Sequence, residues 1–136
     1  MHLVTKSHTK RKLPLIAVVD DDDSVRRALK RMLSADGRFE VALFTSGAEL
    51  LRSPDGTTAD CLILDYQIPG STAPMLQRKL TAAGIAIPVI VVTANDDPRR
   101  RRACLNAGAL AYLVKPISRE RLLTAVLAAI ARSKTE

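Results

Sequence analysis

The sequence has no tryptophan, two tyrosines and two phenylalanines, so aromatic side chains are too few to fill an interior. A core must be assembled from Ala, Leu, Ile and Val, which suits a compact sheet covered by helices better than a barrel or a sandwich. Cysteine is equally scarce. Cys61 and Cys104 lack the close spacing of a metal knuckle or redox pair and are expected as buried free thiols. No apolar run approaches the roughly 20 residues that a bilayer-spanning helix needs. The first residues also lack the apolar h-region of a secretory signal, and the expectation is a cytoplasmic chain with no membrane insertion. Acid is missing from the first fourteen residues, which hold Lys6, Lys10, Arg11 and Lys12 and so carry more than half of the formal charge of +7. Residues 1–13 are expected as a flexible basic leader, solvated rather than nucleic-acid-binding, because no aromatic interleaving or groove-reading motif accompanies the charge.

What is present is one domain's worth of apolar sequence. With 136 residues, 47% hydrophobic and 26% charged, the chain can bury a continuous core, expected over 14–132 with a short tail at 133–136. From Leu15 onward, short apolar runs alternate with amphipathic stretches, a rhythm that predicts a parallel sheet with helices on both faces. Strands are expected at Leu15 to Val19, Phe39 to Phe44, Cys61 to Leu64, Val89 to Val92 and Ala111 to Val114. Val25, Ala28, Leu29, Met32 and Leu33 mark the inner face of a first helix over Ser24 to Ala35, leaving Arg26, Arg27, Lys30 and Arg31 outside. Ser46 caps a short second helix, and Pro54 with Gly56 is read as a loop. Further helices are expected from Pro74 to Ala83, from Pro98 to Gly108 with Asp96 or Asp97 as its cap, and from Ser118.

In an open parallel sheet, ligands bind beyond the carboxyl ends of the strands. Here the strand-end residues are polar: Asp20 to Asp23 after the first, Asp65 after the third, Thr93 after the fourth, and Lys115-Pro116 after the fifth. Several carboxylates on one edge repel unless a cation neutralises them, and an all-oxygen site with room for water and phosphate suits Mg²⁺. Asp22 and Asp23 read as a solvated turn capping the first helix. A hydroxyl from Thr93 and an ammonium from Lys115 could each serve one phosphoryl oxygen.

At these positions the chain resembles the receiver domain of two-component response regulators. Five motifs carry the likeness in order: V-V-D-D-D-D-S-V-R at 18–26, L-D-Y-Q-I-P at 64–69, V-V-T-A at 91–94, G-A-L-A-Y at 108–112 and K-P at 115–116. The resemblance implies a flavodoxin-like α/β fold, a doubly wound parallel sheet in the order 2-1-3-4-5 with five helices in three layers. It implies that Asp65 accepts a phosphoryl group from a sensor histidine kinase or phosphotransfer protein. Mg²⁺ would be held by Asp20, Asp21, Asp65 and the Gln67 backbone carbonyl. Thr93, the Ala94 backbone, Lys115 and a swinging Tyr112 would bind and read the phosphoryl group, Gln67 and Asn95 would tune its hydrolysis, and Lys115-Pro116 would be a cis peptide. The output partner is unnamed by the resemblance, which also allows a phosphorylation-dependent homodimer through the fourth-helix and fifth-strand face.

The chain departs from the family pattern in three places. Ile68 stands where Met is usual, Ala73 where Gly is usual, and Pro74 follows it, which points to a differently shaped loop and third-helix start. Arg99 to Arg102 open the fourth helix against its dipole, either as a solvated cationic turn or as a docking site for an acidic partner. A haloacid-dehalogenase-like phosphatase would place a second acid at position 67, where this chain has Gln. The same residues would also serve the receiver portion of a longer DNA-binding regulator. A receiver that works without phosphorylation would have little use for the full set of acids, Thr93, Tyr112 and Lys115. Specific nucleic-acid binding is not expected of the chain itself, because no helix-turn-helix follows Lys134.

Overall fold

All five residues of the first strand, β1 (Leu15–Val19), are buried, because β1 has a strand on each side and helices on both faces. The computed structural model describes residues 13–135, so the basic leader, apart from Leu13, lies outside the described residues. After β1 come α1 (Asp23–Ser34), β2 (Glu40–Phe44), α2 (Gly47–Arg52), α3 (Pro54–Thr57) and β3 (Cys61–Asp65). The chain continues through β4 (Gln67–Ile68), β5 (Ser71–Thr72), α4 (Ala73–Ala82), β6 (Val89–Thr93), α5 (Pro98–Asn106), β7 (Ala111–Val114) and α6 (Arg119–Thr135). The main sheet is wholly parallel in the order β2-β1-β3-β6-β7, the doubly wound order expected from the sequence. Among the described residues no helix is long and apolar enough to cross a membrane.

Strand side chains point alternately to the two faces, so each apolar strand feeds two cores. Ala17, Val19, Leu62, Leu64, Val89 and Val91 pack with Leu50, Leu76 and Leu80 beneath α2 to α5. Ile16, Val18, Cys61, Ile63, Ile90 and Val92 pack with Leu29, Leu33, Leu122 and Val126 beneath α1 and α6. Burying each Leu or Ile in full is worth about 1.5–3 kcal/mol. Both cysteines are buried and free, and burial pushes the Cys104 thiol up to about 11.

Several local features differ from expectation. The segment read as a loop at Pro54 and Gly56 is the four-residue helix α3, giving six helices among the described residues, because Ser53 accepts from the Gly56 N–H and Pro54 occupies the first turn. Residues 67–72 form an antiparallel hairpin, with Pro69 and Gly70 at its turn and Gly70 at φ 71°. Pro followed by Gly at positive φ is the chemistry of a type II turn, a signal that was present in the sequence. α1 begins at Asp23, capped by Asp22, and β2 begins at Glu40 rather than Phe39. α4 starts at Ala73, with Pro74 inside its first turn, and α6 runs on through the expected tail to Thr135.

Tight packing at the α2–α3 corner gives a stability prediction. A Cβ on Gly56 would lie 2.5 Å from the Leu50 carbonyl oxygen, which is fixed backbone. Gly56→Ala is expected to destabilise by about 1–3 kcal/mol, as overpacking does. A urea melt should show a lower midpoint at unchanged m-value; an unmoved midpoint would mean that the corner yields freely.

Candidate functional site

Register places the functional side chains. Val19 is level with Phe44 and Leu64, Asp65 with Val92, and Thr93 with Val114. Asp20, Asp65, Thr93 and Lys115 therefore emerge together from the carboxyl edge of the sheet. β1 lies between β2 and β3, where the strand order reverses and such folds bind ligands.

The acidic run divides by role. Asp20 is 1% exposed, its N–H donates to the Phe44 carbonyl at 3.2 Å, and its Oδ1 accepts from the Asp22 N–H at 2.9 Å. Asp21 is exposed at the mouth of the site. Asp22 accepts from the hydroxyl and N–H of Ser24 and the N–H of Val25, bonds that hold its carboxyl below the usual range. Asp23 pairs with Arg26 and Arg27, so the last two acids serve the helix start. One oxygen from each of Asp20, Asp21 and Asp65 can be chosen so that all three lie within 4.8 Å of one another.

Arg26 is not on the outer face of α1, where the helical pattern placed it. Its Nη1 donates to the Asp20 carbonyl at 2.6 Å and its Nη2 to Asp23 Oδ1 at 3.1 Å. The guanidinium thus braces the turn that carries Asp20 and Asp21. A long side chain in the first turn can fold back over preceding backbone, a contact that periodicity does not register.

Lys115 supplies the cation. Its Nζ lies 3.3 Å from Asp20 Oδ2 and 3.5 Å from Asp65 Oδ1. Burial pushes the Asp65 carboxyl up; the Lys115 ammonium pulls it down and the Asp20 carboxylate pushes it up again. With all three carboxylates ionised, one ammonium leaves two negative charges, three minus one. That excess and the oxygen-only donor set fit a hard divalent cation such as Mg²⁺.

The remaining expected residues lie at the end of β6, on the segments that follow β3 and β6, and in or just after β7. Thr93 is 3% exposed, and its Oγ1 accepts from the Asn95 N–H at 3.2 Å. The Lys115 N–H donates to the Thr93 carbonyl at 2.7 Å, and the Lys115–Pro116 peptide is cis. Ala94 and Asn95 are exposed in the connection that follows β6. Gln67 lies in β4, with its Nε2 donating to the Ser71 carbonyl at 3.2 Å, so its side chain ties the hairpin. Tyr112 is 4% exposed, and its hydroxyl donates to the Asn95 carbonyl at 3.0 Å. Burial pushes its phenol up.

A family model described as the response regulator receiver domain matches residues 16–127. The response regulator MprA of Mycobacterium ulcerans (strain Agy99) is 40% identical over 121 residues, 89% of this chain and 52% of that protein. MprA of Mycobacterium tuberculosis (strain ATCC 25618 / H37Rv) is equally similar, and the chain spans about half the length of these curated relatives. Among solved structures, a response regulator receiver domain protein from Clostridium thermocellum aligns with a TM-score of 0.82 at 29% identity, covering 90% of this chain and 98% of that one. A response regulator from Chloroflexus aurantiacus aligns with a TM-score of 0.78 at 31% identity, covering 89% and 100%.

Proposed function

Because the chain belongs to the response regulator receiver family, a family of signalling domains, we propose that Asp65 is its phosphoryl acceptor. The observation that carries this reading is the convergence of Asp20, Asp21 and Asp65 on one sheet edge with Lys115 reaching two of them. An Asp65 carboxylate oxygen attacks the phosphorus of a phosphohistidine on a kinase or phosphotransfer protein, or of a small acyl phosphate. The new O–P bond forms as the P–N or P–O bond to the donor breaks, and the donor leaves with the electron pair. Water later attacks the same phosphorus and releases inorganic phosphate, regenerating the carboxylate.

Asp20, Asp21, Asp65 and the Gln67 carbonyl would hold Mg²⁺, which when bound spreads the negative charge of the transferring group. Lys115 neutralises one phosphoryl oxygen, and the Thr93 hydroxyl and Ala94 N–H donate to others. Asn95 and Gln67, two residues after Thr93 and Asp65, set how fast the state decays, Gln67 once its amide leaves the Ser71 carbonyl. The chain performs only its own phosphorylation and dephosphorylation. Its output acts through α5 and β7, the elements next to Thr93 and Tyr112, either on a partner in the cytoplasm or within a longer regulator of the relatives' length.

Exposure to acetyl phosphate with millimolar Mg²⁺ is expected to add one phosphate to the intact mass. Excess EDTA should suppress the addition by on the order of 10²-fold or more. Equal uptake in EDTA would remove the metal from the mechanism.

A further inference from the structure

The arginine run at the start of α5 is not one feature. Arg99 and Arg102 are exposed and make no ion pair among the described residues. Arg100 and Arg101 turn back toward the site. The Arg100 guanidinium lies 4.5 Å from the Tyr66 ring centroid and the Arg101 guanidinium 4.9 Å from that of Tyr112. Both distances fall within the range of cation–π attraction. Each arginine also has an acid nearby: Arg100 Nε is 3.9 Å from Asp97 Oδ2 and Arg101 Nη2 is 3.7 Å from Asp96 Oδ1. Cations at a helix N-terminus oppose its dipole, so these contacts offset an arrangement that the helix alone disfavours.

The two rings are tied to the two backbone segments beside the acceptor. Tyr66 follows Asp65 directly; its N–H donates to the Val92 carbonyl at 3.1 Å and its carbonyl accepts from the Ala73 N–H at 2.7 Å. Tyr112 reaches the other segment, with its hydroxyl on the Asn95 carbonyl at 3.0 Å. We propose that Arg100 and Arg101 are positioning residues, which clasp Tyr66 and Tyr112 and so hold the segments on both sides of Asp65 in the geometry that retains the phosphoryl group. This rests on the reading of Asp65 as acceptor. It makes α5 sense the site through two rings at once, and it assigns the outward pair, Arg99 and Arg102, no part in the reaction.

The composition supplies the test, since Tyr66 and Tyr112 are the only tyrosines and tryptophan is absent. Full chain grown with 3-fluorotyrosine gives two fluorine NMR signals, assigned with Tyr66→Phe and Tyr112→Phe. Arg100→Met is expected to move the Tyr66 signal and Arg101→Met the Tyr112 signal. Arg101→Met should also shorten the lifetime of the phosphorylated protein by about 2- to 5-fold, the loss of one partly exposed cation–π contact. Arg101→Lys keeps the charge without the planar face and should fall between, while Arg99→Met and Arg102→Met should match wild type in both readouts. An unmoved Tyr112 signal in Arg101→Met would overturn the clasp; a moved signal with an unchanged lifetime would overturn its positioning role. If wild type takes up no phosphoryl group, the acceptor reading fails and the positioning role with it, while the fluorine shifts still decide whether the clasp exists.

Discussion

Lys115→Met is expected to reduce phosphoryl uptake by on the order of 10²- to 10³-fold, the usual cost of deleting one preorganised charge-stabilising donor. Met keeps most of the side chain's apolar stem, so the change isolates the ammonium. That ammonium stands 3.3 Å from Asp20 and 3.5 Å from Asp65, and the Asp20 side chain is 2% exposed. Without it two carboxylates face each other with little water between them. Stranding a fully buried charge costs about 3–5 kcal/mol; with Asp65 17% and Lys115 25% exposed the site is only partly buried, and the cost should lie below that range. The metal-free variant should therefore melt below wild type, and added Mg²⁺ should raise its melting temperature more than it raises that of wild type. Equal Mg²⁺ shifts in the two proteins would mean that the ammonium and the metal do not compensate the same charges.

Asp65→Asn should act in the opposite sense on stability. Burial, and after it the Asp20 carboxylate, push the Asp65 carboxyl up against the pull of Lys115. A carboxyl that binds its proton more tightly in the folded state stabilises the fold while protonated. Its contribution is complete below the ordinary carboxylate range and is lost as pH rises through the raised value. Near neutral pH the ionised Asp65 therefore works against the metal-free fold, and the neutral amide removes that cost. In EDTA the Asn variant is expected to melt above wild type, with the gap closing toward about pH 4 as wild-type Asp65 takes up its proton. Mg²⁺ should stabilise wild type and have much less effect on the variant. A variant that melts at or below wild type in EDTA would show that Asp65 is not strained by its neighbours.

Much of this was legible in the residues themselves. Apolar runs such as Ile16 to Val19 and Ile90 to Val92 fix their own burial, because a parallel strand covered on both faces has no polar side to show. With the strand order in place, the polar residue after each run had to arrive at one edge, which is why Asp20, Asp65, Thr93 and Lys115 could be grouped from sequence alone. The Ser46 cap was readable in the same way, and its hydroxyl accepts from the Glu49 N–H at 3.1 Å.

Side-chain contacts that cross a turn or join neighbouring elements were not legible. Nothing in the periodicity of α1 shows Arg26 folding back onto the Asp20 carbonyl, and nothing in an arginine run shows that its middle two members face Tyr66 and Tyr112. Ala73 is fully buried beneath the hairpin that follows Asp65. Its N–H donates to the Tyr66 carbonyl, so the departure from glycine at this position is accommodated by packing the small methyl inward. α3 escaped because Pro54, which reads as a breaker in an interior, favours the first turn of a helix.

The central claim concerns one carboxylate, and intact mass tests it most directly. Wild type and Asp65→Asn, each as the full chain, are incubated with acetyl phosphate and Mg²⁺ and measured without acid hydrolysis. One added phosphate in wild type and none in the variant is the predicted result; an addition of equal size in the variant, or none in wild type, would contradict it.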